Sequence, residues 1–193
     1  THKMVQTGNT GHSEDIDLHR EIMEVEPFQE DKDFLTAPQI FTFPASPHLA
    51  AAIDRRPLDL NRITDSVKEL EKRFDFVLVE GAGGLAVPLT EDLLTVDFAA
   101  RQGWPLILIT SGRLGSLNHT ILSIEAATAR KMRIAGVVYN HSPGADPLIE
   151  NDSERMIRKY LLRYGQPDIL VRVPFAKKPW PDVDFSDIFG RLS

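Results

Sequence analysis

Cysteine is absent from the 193-residue chain. That absence removes disulfides, thiolate zinc sites and a cysteine nucleophile. No run of about 18 apolar residues occurs, so no membrane-spanning helix is expected. The histidines (His2, His12, His19, His48, His119 and His141) never fall into the H-E-x-x-H spacing of a zinc hydrolase. No G-x-S-x-G elbow is present to carry a serine nucleophile. None of the lysines precedes Ser or Thr, so the chain has no G-K-[ST] phosphate loop. Positive charge is in deficit: 22 Lys and Arg stand against 28 Asp and Glu, a net charge of −6. The first 50 residues hold 9 acids and 3 bases, and the remainder holds 19 of each. A basic face suited to nucleic acid is therefore not expected. No signal peptide is evident, which fits a cytoplasmic place. The opening Thr1-His2-Lys3 lacks an initiator Met and reads as the interior of a longer chain.

What is present is ordinary globular composition, 42% apolar and 26% charged. A chain of this length suits a single α/β domain over 1–193, burying roughly 70% of its unfolded surface. Nearly continuous apolar runs at 74–79, 105–110, 134–139 and 168–173 predict strands of a sheet covered on both faces. Residues 1–5 supply a fifth. Helical patterns alternate with them at 13–24, 59–73, 91–102, 117–132 and 150–164. The second of these puts Leu60, Ile63, Val67 and Leu70 on one face. Strand–helix alternation predicts a doubly wound α/β fold with a mostly parallel sheet. Residues 25–47 and the tail 174–193 are proline-rich and read as irregular.

Chemistry-bearing residues gather where those strands end. Val79-Glu80-Gly81-Ala82-Gly83-Gly84 follows a buried strand, at the place where open α/β sheets bind ligands. Its glycines let a phosphate approach the backbone, and Glu80 suits Mg²⁺ beside phosphate. A tight turn with a solvated Glu is the plainer alternative. Gly81-Ala82-Gly83-Gly84 lacks the G-x-G-x-x-G spacing, which disfavours a dinucleotide oxidoreductase. Ser111-Gly112-Arg113-Leu114-Gly115-Ser116 opens a helix and could hold an anion, or be a capped turn. Lys3, Asp15 and Asn140 are weak signals taken singly: a strand-end cation, a first-turn helix charge and a strand-end turn.

In order along the chain, these segments resemble dethiobiotin synthetase. The likeness runs from Lys3 to about Ala176. It rests on Lys3-Met4-Val5-Gln6-Thr7-Gly8, Ser13-Glu14-Asp15, Pro44-Ala45-Ser46-Pro47-His48 and Val79-Glu80-Gly81-Ala82-Gly83-Gly84-Leu85. It continues through Val87-Pro88-Leu89, Gly112-Arg113-Leu114-Gly115-Ser116-Leu117-Asn118-His119, Tyr139-Asn140 and Val173-Pro174. The resemblance implies a P-loop NTPase-like sheet and an ATP- and Mg²⁺-dependent ligase of biotin synthesis. Such an enzyme turns 7,8-diaminopelargonic acid, CO₂ and ATP into dethiobiotin, ADP and phosphate, through a carbamate and its mixed anhydride with phosphate. Carried over residue by residue, the resemblance makes Lys3 the catalytic cation and Thr7 a hydroxyl beside the substrate. Asp15 and Glu80 become Mg²⁺ ligands. Glu80, Gly81, Ala82 and Gly83 line the nucleotide, and Gly83 the substrate as well. Leu114, Gly115, Ser116, Leu117 and Asn118 bind the substrate's carboxylate tail in the partner's site of a homodimer. Asn140 reads adenine, and Pro174, Phe175 and Ala176 lie against the base. No nucleic-acid or membrane partner is implied.

Family members begin with a strand and a G-T-x-x-G-K-T loop upstream of the Lys3 segment, and neither is here. The expectation is a sheet missing its first strand and P-loop helix, and no useful ATP turnover by the chain as it stands. Two other readings are open. A partner-binding ATPase of the deviant P-loop kind would want an apolar or basic C-terminal helix, which 174–193 does not offer. A non-catalytic regulatory or binding domain of the same fold would not need Lys3, Asp15, Glu80 and Asn118 together.

Overall fold

The computed structural model describes residues 1–176 and 178–190. The chain divides into two compact units, Thr1–Phe98 and Ala99–Ser193. Both are α/β, and among the described residues all ladders but one are parallel.

The first unit begins with two very short strands, β1 (His2–Lys3) and β2 (Gln6–Thr7). Helix α1 (Glu14–Met23) follows. Its start is dictated locally: the Ser13 hydroxyl accepts from Ile16 N, and Glu14, Asp15 and Asp17 face the positive end of the helix dipole. Its end is Glu24 in the left-handed region (φ 55°), whose N–H closes back on Arg20 and Glu21 carbonyls. A single turn, α2 (Gln29–Lys32), leads to β3 (Ile40–Phe41), then α3 (Pro47–Ile53) and α4 (Leu60–Glu71). Asp59 caps α4 by accepting from Asn61 N and Arg62 N, and Ile63, Val67 and Leu70 are buried as the periodicity requires. Strand β4 (Val79–Glu80) pairs with β1 in parallel, so that Lys3 stands opposite Glu80. β2 pairs with β3, Thr7 opposite Phe41. An antiparallel pair, β5 (Pro88–Thr90) and β6 (Leu93–Leu94), precedes α5 (Thr95–Gln102), which carries the chain into the second unit.

The second unit has longer strands, β7 (Leu106–Ser111), β8 (Ile134–Asn140) and β9 (Leu170–Val173), in parallel order β7-β8-β9. They alternate with α6 (Ser116–Ala129) and α7 (Pro147–Arg163). Six consecutive residues of β8, Ile134 to Tyr139, are buried, the signature of a central parallel strand. Asp146 caps α7 by accepting from Leu148 N, and Pro147 occupies the first turn, where its missing N–H costs nothing. A last turn, α8 (Ser186–Phe189), lays Ile188 over Gly136; a Cβ at Gly136 would come within 2.9 Å of that side chain. Ile188, Ala135, Val138 and Ile169 form one buried cluster there.

Several sequence expectations are corrected. Of 74–79 only Val79 enters a ladder, with Glu80 after it, and Phe74, Phe76 and Leu78 are 38%, 47% and 42% exposed rather than covered on both faces. The ladder that does form pairs His2 with Val79 and Lys3 with Glu80. Glu91 and Asp92 do not open a helix; they form the β5–β6 turn, and α5 starts at Thr95. The irregular stretch 25–47 contains α2, β3 and the start of α3, and the tail contains α8.

Candidate functional site

Residues with chemistry cluster in each unit. In the first, parallel pairing of β1 with β4 sets Lys3 and Glu80 side by side at the strand ends. Helix α1 supplies the third member. Lys3 Nζ lies 2.6 Å from Asp15 Oδ2 and 2.8 Å from Glu80 Oε1, with its own side chain only 8% exposed. A single ammonium thus bridges two carboxylates. The other Glu80 oxygen accepts from His19 Nε2 at 3.1 Å. A carboxylate only accepts, so Nε2 carries the proton, and Nδ1 faces the Thr1 hydroxyl at 3.1 Å. Burial would raise the Glu80 carboxyl, but the hydrogen bonds from His19 and Lys3 and the Lys3 charge outweigh it and hold the group at about 2. Glu80 is therefore an anion at any working pH.

The turn after Glu80 is built for close approach. Gly83 has φ +79°, and a Cβ there would meet Val87 Cγ2 at 3.1 Å, so both its conformation and its surroundings call for glycine. Gly81 is packed against Thr95 and Met4, and the turn closes where Val87 N donates to Gly84 O. Ala82 and Gly83 stand between, partly or fully exposed. Thr7 ends β2 beside Phe41, half-buried, and is not a member of the Lys3–Asp15–Glu80 cluster.

Among the described residues, no group of three or more His, Asp or Glu side chains is arranged to hold a metal alone. The convergent pair Asp15 and Glu80 suits an ion that completes its shell elsewhere. Magnesium takes one or two carboxylates together with substrate phosphates and water. The donor set fits that ion.

In the second unit the carboxyl ends of β7, β8 and β9 open into a cavity of about 650 Å³, within the size range of small-ligand sites. Ser116, Asn140, Pro174, Phe175 and Ala176 line it together, with Arg113, His141 and Trp180. Its floor is tied to α6 by hydroxyl pairs, Thr110 to Thr120 at 2.6 Å and Ser111 to Ser116 at 3.1 Å. Leu114, Gly115, Leu117 and Asn118 do not line this cavity. Leu114 is wholly exposed, and Gly115 adopts φ +89° just before the helix.

Sequence reasoning gave no role to His19, His141 or Trp180, and named Arg113 only as part of the segment that opens α6. His19 sits on α1 one turn beyond Asp15, and only the β1–β4 register shows that this face of the helix looks at Glu80. Trp180 falls in a stretch with no periodicity, so no local signal marked it.

The fold and the two clusters define the class: residues 1–178 match the family described as "AAA domain". Curated relatives narrow it. The chain is 40% identical over 173 residues to an ATP-dependent dethiobiotin synthetase of Pasteurella multocida, covering 90% of this chain and 81% of that protein. It is 45% identical over 165 residues to the enzyme so named from Chlorobaculum tepidum, covering 86% and 69% respectively. A third, from Haemophilus influenzae, is 43% identical over 149 residues, 77% of this chain and 78% of the relative. The chain belongs to the dethiobiotin synthetase family.

Proposed function

We propose that the protein closes the ureido ring of dethiobiotin at the expense of ATP. The observation that carries this reading is Lys3, an ammonium held between Asp15 and Glu80 at the tips of two parallel strands. The reaction must bring together two anions, a carbamate formed from CO₂ and one amine of 7,8-diaminopelargonic acid, and the γ-phosphoryl group of ATP. The carbamate oxygen attacks phosphorus and ADP leaves. The second amine then attacks the carbamoyl carbon, the ring closes and phosphate departs with its oxygen. Little of this needs a strong base. It needs positive charge where the anions meet, fixed before they arrive.

Lys3 supplies that charge as a compact point. Its carboxylate partners hold the ammonium between them. Asp15 and Glu80 are the ligands for Mg²⁺, which when bound neutralises phosphate oxygens. Gly81, Ala82 and Gly83 leave the backbone open to substrate and nucleotide, and Thr7 offers a hydroxyl on the substrate side. Asn140 reads the adenine edge in the second unit's cavity, with Pro174, Phe175 and Ala176 against the ring. The exposed start of α6, Leu114 to Asn118, serves the active site of a partner subunit in a homodimer. A cytoplasmic location goes with this chemistry. Among the described residues, no helix is long and apolar enough to cross a membrane.

The test is dethiobiotin formation with matched ADP release, using the protein expressed from its natural reading frame. Lys3→Ala should lower turnover on the order of 10²–10³-fold, the usual cost of one preorganised charged contact to the transition state. Equal turnover at saturating substrates would remove Lys3 from the mechanism.

A further inference from the structure

Glu150 lies in the first turn of α7 and plays no part in the mechanism above. Only 8% of it is exposed, although it is charged, and the two residues it binds, His141 and Ser142, line the second unit's cavity. Its two oxygens reach different parts of one loop. Oε2 accepts from His141 Nδ1 at 2.7 Å, and Oε1 accepts from the Ser142 backbone N–H at 3.2 Å. These are the two residues after Asn140. The neighbouring turn has been cleared to admit the carboxylate. A Cβ on Gly112 would lie 2.4 Å from Glu150 Oε1, so no side chain fits there while Glu150 stands in place. Gly112 in turn donates its N–H to the Asn140 carbonyl at 3.3 Å. One turn further along α7, Glu154 is 2% exposed and is engaged by Arg172 of β9 at 2.7 Å. It lies 4.0 Å from His141 Nε2, beyond hydrogen-bond reach, and its Oε1 has no hydrogen-bond partner. Arg172 therefore answers Glu154, and Glu150 is left to hold the loop. The charge on Glu150 is secured in turn: the hydrogen bond from His141 keeps its carboxyl below the ordinary range.

We infer that Glu150, through His141 and the Ser142 N–H, is a positioning residue for nucleotide recognition. It pins the loop after β8 against the Gly112 turn, so that Asn140 meets the base in a fixed orientation. The inference rests on the proposal that Asn140 reads adenine in this cavity. Nothing in it requires Glu150 to touch the nucleotide. Its effect is on where Asn140 stands.

The experiment compares steady-state kinetics with ATP and GTP in the protein expressed from its natural reading frame, alongside thermal unfolding. Glu150→Ala should raise KM for ATP about tenfold with a much smaller change in kcat, and should erode the preference for ATP over GTP in proportion. Glu150→Gln keeps an acceptor for Ser142 N–H, and its amide N–H can donate to His141 Nδ1 once the imidazole proton shifts to Nε2, so it should recover most of both. If Glu150→Ala fails to fold, Gly112→Ala displaces the same carboxylate from the other side and should give the same KM-led defect. Asn140→Ala separates the two claims. If Asn140→Ala raises KM and lowers discrimination while Glu150→Ala and Gly112→Ala do neither, the clamp is wrong and the base-reading role stands. If Asn140→Ala also changes nothing, both fall together. A loss confined to kcat or to melting temperature would likewise overturn the positioning role.

Discussion

Asp31→Ala should destabilise the protein by about 3 kcal/mol, and the arrangement around Asp31 gives the reason. Arg20 projects from the inner face of α1, five residues past Asp15, and is 3% exposed as a side chain against 9% for Asp31. The pair is bidentate, Nε to Oδ2 at 2.9 Å and Nη2 to Oδ1 at 2.8 Å. Asp31 also accepts from the Thr36 hydroxyl at 2.7 Å and from Phe28 N at 2.8 Å. The guanidinium lies 4.5 Å from the Phe28 ring centroid. Removing the carboxylate leaves a buried cation without its partner, a loss of about 3–5 kcal/mol in general. The lower end applies here, because Arg20 keeps the Phe28 ring and a bond to the Thr1 hydroxyl. Against a total stability of about 5–15 kcal/mol this is a large fraction. The assay is urea unfolding followed by circular dichroism, with a lower midpoint and an unchanged slope. Replacing both partners together, Arg20→Met with Asp31→Leu, should restore most of the loss, since no charge is then left buried. The pH arm has a definite sign. Burial would raise the Asp31 carboxyl, and the bonds from Arg20, Thr36 and Phe28 overcome it and lower the group below its ordinary 3.8. Its contribution is therefore complete above that value and is lost as pH falls below it; Asp31→Ala should flatten this acid limb. A destabilisation under about 1 kcal/mol, or a double variant no better than the single one, would refute the reasoning.

Two further outcomes follow from other sites. His2 is wholly buried against the Ser66 hydroxyl at 2.9 Å, and burial lowers its pKa from 6.5 to about 4. The unfolded chain then binds one more proton than the folded one between those values, so stability should be full above pH 6.5 and decline toward pH 4, with a shallower decline in His2→Asn. If the start of α6 serves a partner's active site, mixing Asn118→Ala with Lys3→Ala protein should regain part of the activity that each lacks alone, and no recovery on mixing would argue for self-contained sites.

Much of the fold was legible because it is written in local pattern. The α4 face of Ile63, Val67 and Leu70 and the buried run of β8 follow from spacing alone. The short elements were not legible, for different reasons. Helix α3 begins at Pro47 after Ser46, a usual helix opening, but the surrounding prolines drew the reading toward loop. Helix α8 is one turn long and is anchored by Ile188, which packs against Gly136 where a larger residue would collide, a fact of tertiary packing. The β5–β6 hairpin defeated the reading of Glu91 and Asp92 because first-turn acids and turn acids look alike in sequence. The site followed the same rule. Lys3 and Glu80 were legible as strand-end residues, each weighed singly, and Asp15 as a helix-start acid. Their convergence on one ammonium depends on register across 77 positions, which no local signal carries. The His141–Glu150 contact spans a turn and a helix cap, with no periodic spacing to announce it.

The Lys3 cluster can also be considered as a single charged object. Counting Lys3, Asp15 and Glu80 alone, it carries one net negative charge. A bare nucleotide triphosphate approaching it is repelled. If Asp15 and Glu80 hold the proposed Mg²⁺, the sum becomes one net positive charge, and the site would then attract the polyanion. With its cation chelated away, the nucleotide should find this place closed to it by long-range repulsion, before any contact is made. On the proposed reading, the cluster would select the nucleotide by the charge it arrives with, because Lys3 by itself cannot neutralise two carboxylates.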